Sequence, residues 1–301
     1  MSVGEIVCRS ARQALDALES LIGEGRDYVF RGHDEPGWRL SHTFSRFRAV
    51  RPDIGGCDLD GLIEKFRVGL ARVGVQALPG DDRQDWMEYG RHYGLPMPCL
   101  DFSYSPYIAL FFAYAGSGWE MDRRPGEYVE VNALNVAALG REWVRLRLRS
   151  EPDQDAESLY RRFRFPEPPL FKDGFPDNAL QFIPFPSRHN VRMQQQLGAL
   201  LYDALDYPAL GLRDFQDFLE SIEETDAPPI SPFGRPHALI KILAPAASRG
   251  EILARLELMG VTGGRLFQDA QGAVIDAVNS YSYASRTYAL RDVVSPPRRE
   301  G

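Results

Sequence analysis

Apolar residues recur at helical spacing near the start of the chain. Ala14, Leu15, Leu18, Leu21 and Ile22 predict a helix over about 9–23, ended by Gly23 and Gly25. The aromatic and β-branched run at 27–32 then predicts a buried strand closing on a glycine. Leu62, Ile63, Phe66, Leu70 and Val73 form the stripe of a second helix over 59–74. A third helix is expected from Gln84 to about Tyr93, broken by Pro96 and Pro98. Residues 99–103 read as a short buried strand. Ser105-Pro106 then starts a helix, with serine at the N-cap and proline at the first helical position. That helix, over 107–115, is apolar all round and is expected to be buried.

Residues 126–138 alternate like a strand with one wet face. From 150 to 190, Pro152, Pro166, Pro168, Pro169, Pro176, Pro184 and Pro186 predict long ordered loops around one strand at 180–185. A short helix or turn is expected at 191–197 and a strand at 200–202. A further strand (237–243), an amphipathic helix (248–259) and a last helix (271–280) follow. The Pro/Arg-rich end reads as frayed. Strands and helices mix without a regular βαβ rhythm, which favours α+β. One domain over 1–290 with a disordered tail at 291–301 is the expected organisation.

Of the 301 residues, 44% are hydrophobic and 26% charged, proportions that exclude wholesale disorder. The net charge of −7 gives no general attraction to nucleic acid or to an acidic membrane. Only Lys65, Lys172 and Lys241 among the 35 basic residues are lysines. A GC-rich bacterial genome is the plain reading, and a use of phosphate-binding guanidiniums the sharper one. Cys8, Cys57 and Cys99 are odd in number and far apart, which argues against a disulfide framework and a zinc site. The first residues hold no apolar signal segment, and the longest apolar run falls far short of the ~20 residues of a membrane span. A cytoplasmic protein without membrane contact is expected.

The sequence holds no P-loop, G-x-G-x-x-G, H-E-x-x-H or G-x-S-x-G. His33 and His92 have no second histidine at ligand spacing, and no metal is expected. Three segments carry candidate chemistry. Arg31, at a strand end in Phe30-Arg31-Gly32-His33, is placed to hold a phosphate or carboxylate, or else to make a structural ion pair. Asp101 and Ser103 share one strand face beside a helix N-terminus that favours anions, or else satisfy loop amides. Gln194, Gln195 and Gln196 point in different directions on any regular element, so only one or two can share a site.

Together these segments resemble the FRG domain family. The residues that carry the resemblance are Phe30-Arg31-Gly32 with Trp38-Arg39-Leu40, and His92-Tyr93-Gly94-Leu95-Pro96 followed by Leu100-Asp101-Phe102-Ser103 and Ser105-Pro106. The helix with Ala109, Phe112 and Ala113, Gln196-Leu197-Gly198, and the strand with Lys241 and Pro245 complete it. Two departures stand out: Arg91 replaces the family's glutamine, and Met97-Pro98 its Thr-Arg pair. The order of features is similar to that of ADP-ribosyltransferases. The resemblance therefore implies one domain with a mixed, mostly antiparallel split sheet flanked by helices, and NAD as co-substrate without metal. It implies a glycosyltransferase reaction in a bacterial toxin, toxin–antitoxin or antiviral defence component. The expected partners are a protein or nucleic-acid target and an antitoxin protein.

On that reading Arg31, Asp101, Ser103 and Gln196 are catalytic. Arg31, Gly32, His33, His92, Tyr93 and Tyr104 bind the cofactor. Arg31 holds the pyrophosphate, the Gly32–His33 backbone orients nicotinamide, and Tyr93 or Tyr104 stacks on it. His92 and His189 are open between base and packing roles. The alternative is a non-catalytic ligand- or nucleic-acid-binding module. In its nucleic-acid form the arginines of 141–149 and 161–164 supply a basic stripe, with Phe163 and Phe165 for stacking.

Overall fold

Short polar side chains set most of the helix starts in this chain. Ser10, Asp58, Asp82, Asn135, Asp155, Asp214 and Asp269 each accept an early backbone N–H of the helix that follows. The computed structural model describes residues 3–23, 27–51, 58–75, 82–115, 126–167, 170–185, 190–222, 237–281 and 283. Its strands are β1 (Val3–Val7), β2 (Tyr28–His33), β3 (Cys99–Ser103), β4 (Tyr128–Asn135), β5 (Leu180–Ile183), β6 (Gly198–Asp203) and β7 (Leu239–Pro245). Its helices are α1 (Ala11–Ser20), α2 (Thr43–Val50), α3 (Leu59–Arg72), α4 (Arg83–His92), α5 (Pro106–Ala115) and α6 (Val136–Ser150). They continue as α7 (Ala156–Arg164), α8 (Val191–Gln195), α9 (Phe215–Ser221), α10 (Arg249–Leu258), α11 (Gly263–Phe267) and α12 (Ala270–Asn279).

The fold is α+β. One mixed sheet runs in the order β1-β7-β4-β2-β3-β6-β5, flanked by helices. The β1–β7 pair is parallel and every other neighbouring pair is antiparallel. Alternation along the strands sorts side chains into cores. Tyr28, Phe30, Val129, Val131, Ala133, Ile240 and Ile242 face α1, α5 and α10. Val29, Leu100, Phe102, Ala199 and Leu201 face α6, α7 and α9. Cys99, Leu200 and Tyr202 meet Ile63, Trp86 and Met87 of α3 and α4.

The sheet is nearly divided at its centre. β2 pairs with β4 at six positions, from Tyr28↔Asn135 to His33↔Glu130. With β3 it pairs only at Phe30↔Ser103. Beyond that pair the strands part, and α5 lies against β2. A Cβ built on Gly32 would stand 2.0 Å from the Ala109 carbonyl oxygen and 2.6 Å from the Ala113 nitrogen. The glycine of the Phe-Arg-Gly triplet is thus needed for backbone-to-backbone approach of a helix on a strand, with small Ala109 and Ala113 on the facing turn.

The structure departs from the expected elements at several points. The proline-rich stretch holds α7, started by the Asp155 carboxylate on Ser158 N at 2.7 Å. β4 stops at Asn135, because that side chain turns to cap α6. β1, α2, α9 and α11 had no clear signature in the pattern. The tail at 291–301, Cys57 and His189 lie outside the described residues.

One carboxylate lies entirely inside. Asp203 is 0% exposed. Its Oδ1 accepts from the Tyr207 hydroxyl at 2.6 Å and from Leu205 N at 3.3 Å. Oδ2 has no hydrogen-bond partner and lies 3.8 Å from His42 Nε2. Burial pushes the Asp203 carboxyl up to about 7 against those two bonds, and burial pushes His42 down to about 4.

Two outcomes are expected. Gly32→Ala should lower unfolding free energy by about 1–3 kcal/mol or more, read as a lower urea midpoint. An unchanged midpoint would contradict the seating of α5. A raised carboxyl pKa means the folded state holds a proton that the unfolded chain has released between pH 4 and 7, so Asp203 withdraws stability as pH rises through that window. Asp203→Asn should therefore gain stability over wild type across it, by at most about 1.4 kcal/mol per pH unit. Urea unfolding at pH 4.5, 6 and 7.5 checks the trend, and a constant difference would refute it.

Candidate functional site

A cleft of about 1000 Å³ opens where β2 and β3 part. Side chains from both sheet faces reach it through the gap. Arg31, His33 and Phe102 come from one side, and Asp101, Ser103 and the Gly32 backbone from the other. α5 contributes Ala109 and Phe112, α4 contributes Glu88, Arg91 and His92, and Arg192, Met193 and Gln196 arrive from the α8 turn. Residues 160 positions apart in sequence thus line one cavity.

Arg31 spans the parting. Its Nη1 donates to the Asp101 carbonyl at 2.9 Å, replacing a missing ladder bond, and its Nε donates to His33 Nε2 at 3.1 Å. A guanidinium has five N–H donors, so three remain for the cleft. Burial, then the guanidiniums of Arg91 and Arg46, lower its pKa to about 9, which leaves it charged at neutral pH.

Asp101 pairs through Oδ2 with Arg91, whose Nη1 also donates to the Cys99 carbonyl at 2.8 Å. The other oxygen, Oδ1, is buried and has no hydrogen-bond partner. A buried carboxylate oxygen without a donor is costly. Ser103 is used differently. Its hydroxyl donates to the Gln196 carbonyl at 2.7 Å and accepts from Ser105 N at 3.0 Å. It ties the end of β3 to the α8 turn and to the start of α5. The Gln196 side chain donates through Nε2 to the Leu266 carbonyl at 3.3 Å, which leaves its amide oxygen to accept.

Arg31, Arg39, Arg46, Arg91 and Arg192 line the cleft against Asp34, Glu88, Asp101 and Asp214, so the charges nearly cancel in number but are unevenly paired. Arg39 is held by Asp214 at 2.5 Å and by Asp217 at 2.5 Å, and Arg91 by Asp101. Glu88 accepts from Gln84 and Asn190, each at 2.8 Å. Among the described residues, no carboxylate salt bridge reaches Arg31, Arg46 or Arg192. Arg192 lies over the Phe267 ring at 4.0 Å. Burial lowers the pKa of both Arg46 and Arg192, and Arg91 adds to the effect at Arg46. Three guanidiniums without a carboxylate partner thus line the space, Arg46 also bonding the Ser41 carbonyl and Arg192 the Gln271 amide oxygen at 3.4 Å, an arrangement that favours an anion.

His92 lines the cleft, with its pKa lowered by partial burial and then by Arg192. Tyr93 and Tyr104 lie outside the lining. Tyr93 closes the last turn of α4 and is 64% exposed, its ring 4.9 Å from that of Tyr89. The Tyr104 hydroxyl donates to the Pro184 carbonyl at 3.2 Å, turned toward the β5 side. The exposed ring at the cleft is Trp38, 6.1 Å from His33. Its place beside Arg39 in the Phe-Arg-Gly region was its signal. Arg46 had none, because α2 is a weak pattern. The basic stripe is largely paired: Arg145, Arg147, Arg161 and Arg164 meet Glu142, Glu151, Glu157 and Asp27. Phe163, at 1% exposure, is a core residue and offers no stacking face.

The region from β2 to α5 therefore supplies most of the cleft, and the family comparison selects the same stretch. The chain carries an FRG domain, whose family model matches residues 26–119. The match takes in Arg31, Gly32, His33, Arg46, Arg91, Asp101 and Ser103. Gln196 and Arg192 lie beyond it. No curated protein and no solved structure matches the chain. No helix among the described residues is long and apolar enough to cross a membrane.

Ser103→Ala should cost about 1–3 kcal/mol, because it strands the Ser105 amide and the Gln196 carbonyl. A loss below about 0.5 kcal/mol in urea unfolding would exclude the strut role.

Proposed function

We propose that the cleft binds NAD and that this FRG protein is an ADP-ribosyltransferase-like effector, a toxin or defence component acting on a protein or nucleic acid. The observation that carries the reading is one convergence. Guanidiniums without a carboxylate partner, the partly exposed Asp101 carboxylate and the Gln196 amide line the same dinucleotide-sized space. Arg31, with Arg46 and Arg192, takes the diphosphate. The Asp101 carboxylate and the Gln196 amide oxygen accept ribose hydroxyls. In the transfer step the bond from the ribose anomeric carbon to nicotinamide breaks, and nicotinamide leaves with the electron pair. A nucleophile of the target forms the new bond and gives up its proton. Negative charge near the anomeric carbon stabilises the oxocarbenium-like state by about 3–4 kcal/mol per well-placed group.

A second reading, a cleft that binds its ligand without turnover, is favoured by two observations. Gln196 brings no charge, and the Asp101 charge is shared with Arg91. Nicotinamide release from NAD, with and without cell extract, separates the two. Transferase action predicts release by wild type and a loss of at least about tenfold in Arg31→Ala. Equal trace release by both proteins would refute it. NAD binding in calorimetry without release would support the binder.

A further inference from the structure

Arg31 is set in place by a row of buried polar groups on one sheet face. His33 follows it by two positions on β2. Glu130 stands opposite His33 on β4, Asn132 opposite Arg31, and Lys241 opposite Asn132 on β7. Strand alternation therefore gives all five side chains the same direction. His33, Glu130 and Asn132 are 6%, 1% and 0% exposed.

The shorter contact, from Arg31, selects one proton arrangement. The Arg31 Nε–H points at His33 Nε2, and an arginine nitrogen can only donate. Nε2 must then be bare, and neutral His33 carries its proton on Nδ1. On that side Glu130 Oε1 lies 3.6 Å away, while Asn132 Nδ2, itself a donor held by Glu130, lies 3.3 Å from Nδ1 and opposes this tautomer. Glu130 is held in turn by Asn132 Nδ2 at 2.7 Å, Gly37 N at 3.2 Å and Lys241 Nζ at 3.9 Å. Burial would raise the Glu130 pKa, but His33, Lys241, Asn132 and Gly37 together bring it below the ordinary value, so Glu130 is a carboxylate. The charged groups facing His33 are Arg31 on its own strand, Asp34 just beyond it and Glu130 on β4, with Lys241 behind Glu130 and the Trp38 ring alongside. Burial and then Arg31 lower its pKa, while Glu130 and Asp34 oppose them. The net direction is down, so His33 is neutral near pH 7.

We propose that His33 is a positioning residue that aims Arg31 into the cleft, with Glu130 fixing its tautomer, so that anion capture weakens in acid when His33 gains a proton at Nε2. That proton would face the Arg31 Nε–H and set two cations side by side. Arg31 would keep its bond to the Asp101 carbonyl and lose the one that orients its plane. This inference rests on the reading of the cleft as a site for a diphosphate.

Two measurements on the full chain test it. Long-range proton–nitrogen NMR of the labelled protein, with His33→Gln to assign the signal, should show the Nδ1–H tautomer at pH 7.5. It should also show the second proton arriving below pH 6.5. An Nε2–H tautomer overturns the proposal. Calorimetry then uses ADP-ribose, whose diphosphate keeps its charge between pH 5.5 and 7.5. Wild type should lose affinity between pH 7.5 and 5.5 by less than about tenfold, the ceiling for one linked proton on a group that titrates below 6.5. His33→Leu should be weak at both pH values. His33→Gln, whose amide oxygen still accepts from Arg31, should restore binding and abolish the pH dependence. A folded His33→Leu protein that binds like wild type overturns the proposal. The two ideas fail separately. An Nδ1–H tautomer with no ADP-ribose bound by wild type removes the diphosphate reading and leaves the placement of Arg31 standing.

Discussion

Two halves of a sheet meet at Phe30 and Ser103, and the cleft exists because they meet nowhere else along β2 and β3. Backbone groups beside such a gap would be exposed or unsatisfied unless something replaced the ladder. Arg31 does so on one side by bonding the Asp101 carbonyl. Ser103 does so on the other by joining Gln196 and Ser105. The polar residues that look like site chemistry therefore also hold the gap. Those tethers leave three Arg31 N–H donors and the Gln196 amide oxygen without a protein partner beside the cleft.

The electrostatics follow from the same geometry. A gap through the sheet brings guanidiniums from β2, α2, α4 and the α8 turn together around one partly enclosed space. Arg39 and Arg91 are neutralised by carboxylates that fix loop and strand positions. Arg31, Arg46 and Arg192 are not. The contrast is between arginines with and without a carboxylate partner, and composition alone gave only an excess of arginine.

Much of the fold could be read from local pattern. β3 and α5 were legible because a short alternating run leads into Ser-Pro and then nine apolar residues. α7 was hidden by the prolines around it, although Asp155 three residues before Ser158 is a cap signal. β1 could not be recognised, since its strand character comes from parallel pairing with β7 some 235 residues later. At the site, Arg31, Asp101 and Gln196 were visible as residue types at element ends. Their partners were not. That Asp101 meets Arg91, and that Tyr93 and Tyr104 turn away from the cleft, depends on how α4 and the β5 side pack.

The contact between Gly32 and α5 has a consequence for ligand choice. The spacing there is set by main-chain atoms, at a position where no side chain fits. Point substitutions cannot widen or narrow that wall by degrees; they can only break it. Substitutions that reshape the cleft by degrees therefore fall on its lining side chains, among them Trp38, Arg46, His92 and Arg192, and not on this main-chain contact.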